Sequence, residues 1–179
     1  MNIGIIGQGF VGNAVYQKFK NYYNVITYDL QVKLCNGTIE EIMDKCKIIF
    51  VCLPTPMSKD GKCFTGIVEE ELKDLELLAS MTPEIKTVVI KSTVPPGTTK
   101  KWNEQFKFLD IVFNPEFLTE ANAVQDYENQ NRIILGGPRP STTTLKPIFA
   151  KVFPKAKIIK TNSTYAEMVK YITNSFLAT

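Results

Sequence analysis

Asn2-Ile3-Gly4-Ile5-Ile6-Gly7-Gln8-Gly9-Phe10-Val11-Gly12 is the stretch from which the rest of the chain can be read. A short apolar run gives way to GxGxxG at the point where helical spacing begins. Gly7 permits the tight turn, Gly9 lets backbone approach a pyrophosphate, and Gly12 lets the helix pack on the strand. The helix N-terminus adds amides and the positive end of a dipole for the anion. A second apolar run ends in Tyr28-Asp29, and Asp29 stands 22 residues after Gly7. That is close to the spacing expected of the acid that accepts both hydroxyls of an adenosine ribose. A carboxylate there repels a 2′-phosphate, which favours NAD over NADP. The alternative is a glycine turn of structural use only, with Asp29 a surface charge.

Working outward, apolar β-branched runs recur at Asn24–Tyr28, Lys47–Leu53, Thr87–Lys91, Asp110–Phe113, Asn131–Leu135 and Lys157–Ile159. Most are apolar on both faces, as strands of a parallel sheet covered by helices on each side must be. Helical spacing fills the intervals at Gly12–Lys20, Val68–Ser80, Gly97–Phe106, Thr142–Val152 and Ser163–Ala178. Alternating strands and helices predict one α/β domain over residues 1–179, a doubly wound, mostly parallel Rossmann sheet with an extra C-terminal αβ unit. The last helix ends without a capping glycine or proline while its apolar spacing still runs, so the chain is expected to be cut rather than finished there.

Composition narrows the chemistry. The chain has 179 residues, 44% hydrophobic and 22% charged, with no histidine. This is a globular composition, and His-based triads, imidazole bases and His metal sites are excluded. Cys35, Cys46, Cys52 and Cys63 form no CxxC pair, so reduced thiols are expected rather than a metal site or a disulfide framework. No apolar run approaches the roughly eighteen residues of a membrane span, and the N-terminus lacks a leader pattern; a cytoplasmic protein is expected. Net charge is +3, with 17 acidic groups in residues 1–138 and only Glu167 in 139–179. The basic residues of that last stretch are interleaved with ordinary helix and strand spacing, which speaks for a solvated face rather than nucleic acid.

Three further motifs sit at strand ends, where ligands of open α/β sheets bind. Val51-Cys52-Leu53-Pro54-Thr55-Pro56 is a stiff loop that can lie against a cofactor, or a rigid turn; Cys52 reads as a core thiol. Lys91-Ser92-Thr93-Val94-Pro95-Pro96-Gly97-Thr98 places hydroxyls at the same edge, although a helix cap uses the same residues. In Asn114-Pro115-Glu116-Phe117-Leu118-Thr119-Glu120 two carboxylates stand four apart. If a helix begins there they share a face and suit proton abstraction; otherwise they are acids favouring a helix N-terminus.

Taken in order, GxGxxG, LPTP, KSTVPPGT and NPEFLTEANAVQD, followed by Asn131–Gly136 and the helix Tyr165–Ala178, make the chain resemble the N-terminal NAD-binding domain of the UDP-glucose/GDP-mannose dehydrogenase family. The resemblance implies oxidation of a nucleotide sugar's C6 hydroxyl to a carboxylate with two NAD, UDP-glucose or a similar sugar being the substrate. It implies catalytic roles for Thr93, Glu116, Glu120, Lys170 and Asn174. It implies cofactor contacts from Gly7, Gln8, Gly9, Phe10, Val11, Gly12, Asp29, Leu53, Pro54, Thr55, Ser92, Thr93 and Glu120. It further implies a homodimer formed through the helix of about residues 163–179, whose stripe Met168, Ile172 and Phe176 seeks a partner.

Lys170 and Asn174 are i and i+4, so an ammonium and an amide project from one helix face, a sensible oxyanion site. Three departures accompany the resemblance. The stretch from Asp29 to Lys47 is short and is expected to lack the family's extra helix. Thr119, Ala121 and Asn122 replace commoner residues near the substrate. The chain is expected to stop before the family's catalytic cysteine and C-terminal domain, and none of the four cysteines matches that position. The competing expectations are a stand-alone, non-catalytic dinucleotide-binding module and a dehydrogenase of simple hydroxy acids, which accounts poorly for Glu116 and Glu120.

Overall fold

The computed structural model describes residues 1–82 and 84–177. Along them run β1 (Asn2–Ile6), α1 (Phe10–Phe19), β2 (Asn24–Tyr28), a 3-10 turn (Val32–Leu34), α2 (Ile39–Lys45), β3 (Ile48–Val51), α3 (Gly66–Ala79) and β4 (Lys86–Ile90). They are followed by α4 (Thr98–Gln105), β5 (Leu109–Phe113), a 3-10 turn (Glu120–Asn122), α5 (Ala123–Glu128), β6 (Arg132–Gly136), α6 (Arg139–Val152), β7 (Lys157–Thr161) and α7 (Ser163–Leu177). Ala178, where the final helix was expected to reach, and Thr179 lie outside the described residues.

The strands form one sheet in the order β2-β1-β3-β4-β5-β6-β7. Pairing is parallel from β2 to β5 and again between β6 and β7. The exception is β5 with β6, antiparallel over the single pair Phe113 and Gly136. The architecture is thus the mostly parallel, doubly wound sheet that the apolar runs predict. Strand order reverses between β1 and β3, which opens a crevice at their carboxyl ends.

Alternation along each strand divides the core in two. Ile49 and Val51 of β3 and Val88 and Ile90 of β4 face Ile42 of α2, Leu72 of α3 and Trp102 of α4. Ile48, Phe50 and Val89 face the other way, toward Val15 and Phe19 of α1 and Phe149 of α6. Phe19, Phe50 and Phe149 meet edge to face, at centroid distances of 5.1 to 6.0 Å.

Two expectations are corrected. The Asp29 to Lys47 connection does carry a helix, α2, whose N-cap Thr38 accepts a hydrogen bond from Glu41 N at 3.2 Å. Its apolar pair Ile42 and Met43 is buried against the sheet. Glu116 and Glu120 do not share a helix face, because residues 114–119 are not helical and the helical turns start at Glu120. The cause is visible at Glu116 itself: its carbonyl accepts from Lys170 Nζ rather than from an amide four residues on.

Candidate functional site

A cleft of ≈ 830 Å³ lies over the reversal point between β1 and β3. Gly7, Gln8, Gly9, Phe10, Val11, Asp29, Leu53 and Pro54 are among the residues lining it. Gly7 has φ +87°, a left-handed conformation that a side chain would strain. A Cβ at Gly12 would lie 1.8 Å from the Gly7 carbonyl oxygen, so α1 can only sit this close with glycine there. Gly9 faces open space, and α1 has no side-chain cap and no acid in its first turn. Its leading amides therefore await an anion, which is the fit a diphosphate requires.

Asp29 is held at the far side of the cleft by backbone. Its Oδ2 accepts from Gln8 N at 2.7 Å and its Oδ1 from Gln31 N at 2.8 Å. The carboxylate keeps free lone pairs for ribose hydroxyls. Glu70, Glu71 and Asp74 of α3 face the same cleft. Burial, with a smaller contribution from Asp74, pushes the Glu71 carboxyl up to about 6.

The loops after β3 and β4 are stitched to each other. Ser92 Oγ donates to the Leu53 carbonyl at 2.6 Å and Thr55 Oγ1 to the Thr93 carbonyl at 2.7 Å. The Ser92 hydroxyl thus gives its one hydrogen to the Leu53 carbonyl and keeps its acceptor lone pairs. Thr55 and Thr93 line a neighbouring pocket of ≈ 400 Å³, together with Cys63, Tyr171 and Asn174. Glu120 is exposed and borders a smaller notch beside Phe10 and Asn13. Thr93 and Asn174 are thus brought together, whereas Glu120 stands apart from them.

The connections that follow β4 and β5 also carry a buried polar cluster. Lys170 Nζ donates to Glu116 Oε1 at 2.8 Å, with side-chain exposures of 6% and 12%, so the pair is shielded from water. The other carboxylate oxygen of Glu116 accepts from Leu118 N at 2.7 Å. Lys91, also buried, donates to Asn114 Oδ1 at 2.8 Å and lies 5.4 Å from the Tyr127 ring centroid. Burial pushes the Lys91 ammonium down to about 8 and the Cys52 thiol up to about 12. Cys52 is therefore no nucleophile at neutral pH. Sequence reasoning passed over Lys91 and Asn114, whose signal was a lysine closing an otherwise apolar run.

The model of the UDP-glucose/GDP-mannose dehydrogenase family's NAD-binding domain matches residues 24–155. The chain belongs to this family. The glycine motif precedes the matched stretch, and Lys170 and Asn174 follow it, so both ends of the site rest on the geometry above. The chain is similar to the UDP-glucose 6-dehydrogenase of Rickettsia prowazekii, at 40% identity over 73% of the chain and 31% of the relative. It is similar to the UDP-glucose 6-dehydrogenase AglM of Haloferax volcanii, at 29% identity over 99% of the chain and 51% of the relative. The chain therefore spans about half or less of the length of these relatives. Among solved structures, a UDP-glucose dehydrogenase from Pyrobaculum islandicum shares the fold with a TM-score of 0.85 at 24% identity, over 99% of this chain and 50% of that one. Among the described residues of this family member, no helix is long and apolar enough to cross a membrane.

Proposed function

We propose that the chain is the cofactor-binding part of an NAD-dependent nucleotide-sugar 6-dehydrogenase that oxidises a sugar C6 hydroxyl to a carboxylate and works in the cytosol. The observation that carries this reading is the shielded Lys170 and Glu116 pair, set at the same sheet edge as the open GxGxxG cleft. When bound, NAD supplies the hydride acceptor for each of the two oxidations. The backbone of Gly7 to Gly12 and the first amides of α1 hold the diphosphate, Asp29 the adenosine ribose, and Leu53 and Pro54 the cleft wall. Thr93 and Asn174 orient substrate or water in their shared pocket, and Glu120 acts from the notch beside Phe10, at the cofactor's side. Lys170 holds the Glu116 carboxylate in place through its hydrogen bond to Oε1, so that one can steady an oxyanion while the other moves a proton. UDP-glucose or a similar nucleotide sugar is the substrate class.

Two measurements test this. Calorimetry should show NAD binding to the chain, weakened about tenfold by Asp29→Ala, roughly 1.4 kcal/mol, with the far-ultraviolet dichroism unchanged. The complete polypeptide of the reading frame should reduce NAD with a nucleotide sugar. Binding without turnover on any nucleotide sugar would leave the non-catalytic module; no binding at all would remove both.

The same reading includes a homodimer through α7, on which Tyr165, Met168, Val169 and Ile172 are exposed, as is Phe176. Exposed apolar side chains at this helical spacing mark a contact surface. Light scattering should give twice the chain mass, and a monomer at high concentration would count against the dimer.

A further inference from the structure

α7 enters the site through two buried charges one turn apart. Lys170 engages the β5 connection at Glu116. Glu167, 0% exposed, engages the β4 connection: its Oε2 accepts from Gly97 N at 2.6 Å and its Oε1 from Thr99 N at 2.8 Å. Those amides open α4, a helix with no acid in its first turn and with Gly97, at φ +92°, in place of a capping side chain. A carboxylate at that position satisfies orphan donors and meets the positive end of the helix dipole. It is supplied from 70 residues away in sequence.

We propose that Glu167 is a positioning residue of the dehydrogenase, setting the height of α7 so that Lys170 meets Glu116 and Asn174 faces Thr93. In its catalytic consequence this rests on the function proposed above. Glu167, Lys170 and Asn174 are spaced three and four apart, so they follow one helix face. From Thr93 to Gly97 the chain passes through buried Val94 and two prolines, leaving little slack between the clamped amide and the catalytic hydroxyl. The face of α7 thus spans the ends of β4 and β5 and fixes the distance between their loops. A slip of one residue along the axis is about 1.5 Å, enough to part Lys170 from Glu116.

The test uses Glu167→Ala, with Glu167→Gln, which keeps shape and one acceptor, as the conservative partner. The first readout is trace labelling of lysine amines in the folded chain, with Lys170 scored against exposed Lys73 by peptide mass spectrometry. The Lys170 ratio should rise about tenfold or more in Glu167→Ala and less in Glu167→Gln, while the dissociation constant for NAD changes by under about twofold. A residue that only caps α4 would lower the melting temperature and leave the ratio unmoved, and that result in either folded variant would overturn the proposal. The second readout, in the complete polypeptide, is a fall in kcat of about tenfold or more with KM for NAD held, partly restored by glutamine. A wild-type protein that turns over no nucleotide sugar would defeat the functional reading, while the labelling ratio would still decide the clamp.

Discussion

Gly12→Ala is expected to abolish dinucleotide binding and to cost about 2–4 kcal/mol of stability. The new methyl would stand 1.8 Å from the Gly7 carbonyl oxygen and 2.9 Å from its carbon, both backbone atoms that have no room to yield. α1 would have to withdraw and carry its anion-binding amides with it. NAD affinity should fall by about 100-fold or more, since a misplacement of an ångström is worth that much. Gly9→Ala is the matched control, because nothing lies within 4 Å of its added methyl. That variant should unfold in urea within about 0.5 kcal/mol of wild type yet bind NAD poorly, its methyl occupying the diphosphate's space. A Gly12→Ala chain that bound NAD normally would contradict the assignment of the cleft.

The second large effect is expected for Lys170→Met. Removing the ammonium strands the Glu116 carboxylate in a site with little water, a loss of about 3–5 kcal/mol. Glu116→Gln in the same chain should restore much of it, because the amide has no charge to strand. Urea unfolding of the two single variants and the double variant closes a cycle, from which a coupling of about 2–3 kcal/mol is expected. A coupling near zero would mean that the pair is not the shielded contact its geometry describes. In the complete polypeptide both single variants should lower kcat far more than they raise KM for NAD.

The fold was legible wherever burial on both faces wrote itself into the chain. β3 is apolar at each of its four positions, Ile48–Val51, and all four are buried. α2 was missed although Thr38 and Glu41 stand three apart, the spacing of a capping box. With two turns and one buried apolar pair it has little periodicity to detect, and the resemblance argued against it. The expectation of a shared face for Glu116 and Glu120 failed for a different reason. Whether Glu116 begins a helix depends on which donor its carbonyl finds, and that donor is a lysine 54 residues on. Glu167 was noticed only as the lone acid of residues 139–179, because its partners are amides, which every residue but proline carries. The glycine turn and Asp29 were legible since each answers a local backbone demand with a residue type of its own.

The single antiparallel rung between Phe113 and Gly136 has a mechanical consequence. Every other seam of the sheet is a ladder of four or five paired residues, and this one is not. Cohesion across it comes instead from side chains: Asn114 Nδ2 donates to the Ile134 carbonyl at 2.7 Å and Ser141 Oγ to Asp110 Oδ2 at 2.6 Å, while Ile134 and Ala166 share one core with Ile111, and Leu135 shares the other with Val112. Hydrophobic cohesion weakens on cooling, whereas a hydrogen-bonded ladder does not depend on it. On cooling, the apolar part of this seam is expected to weaken before the laddered seams do, which hydrogen exchange at low temperature would show. The segment from β6 to α7 is therefore joined to the nucleotide-binding half by side chains rather than by a ladder, the contacts of Glu167 with Gly97 and of Lys170 with Glu116 among them.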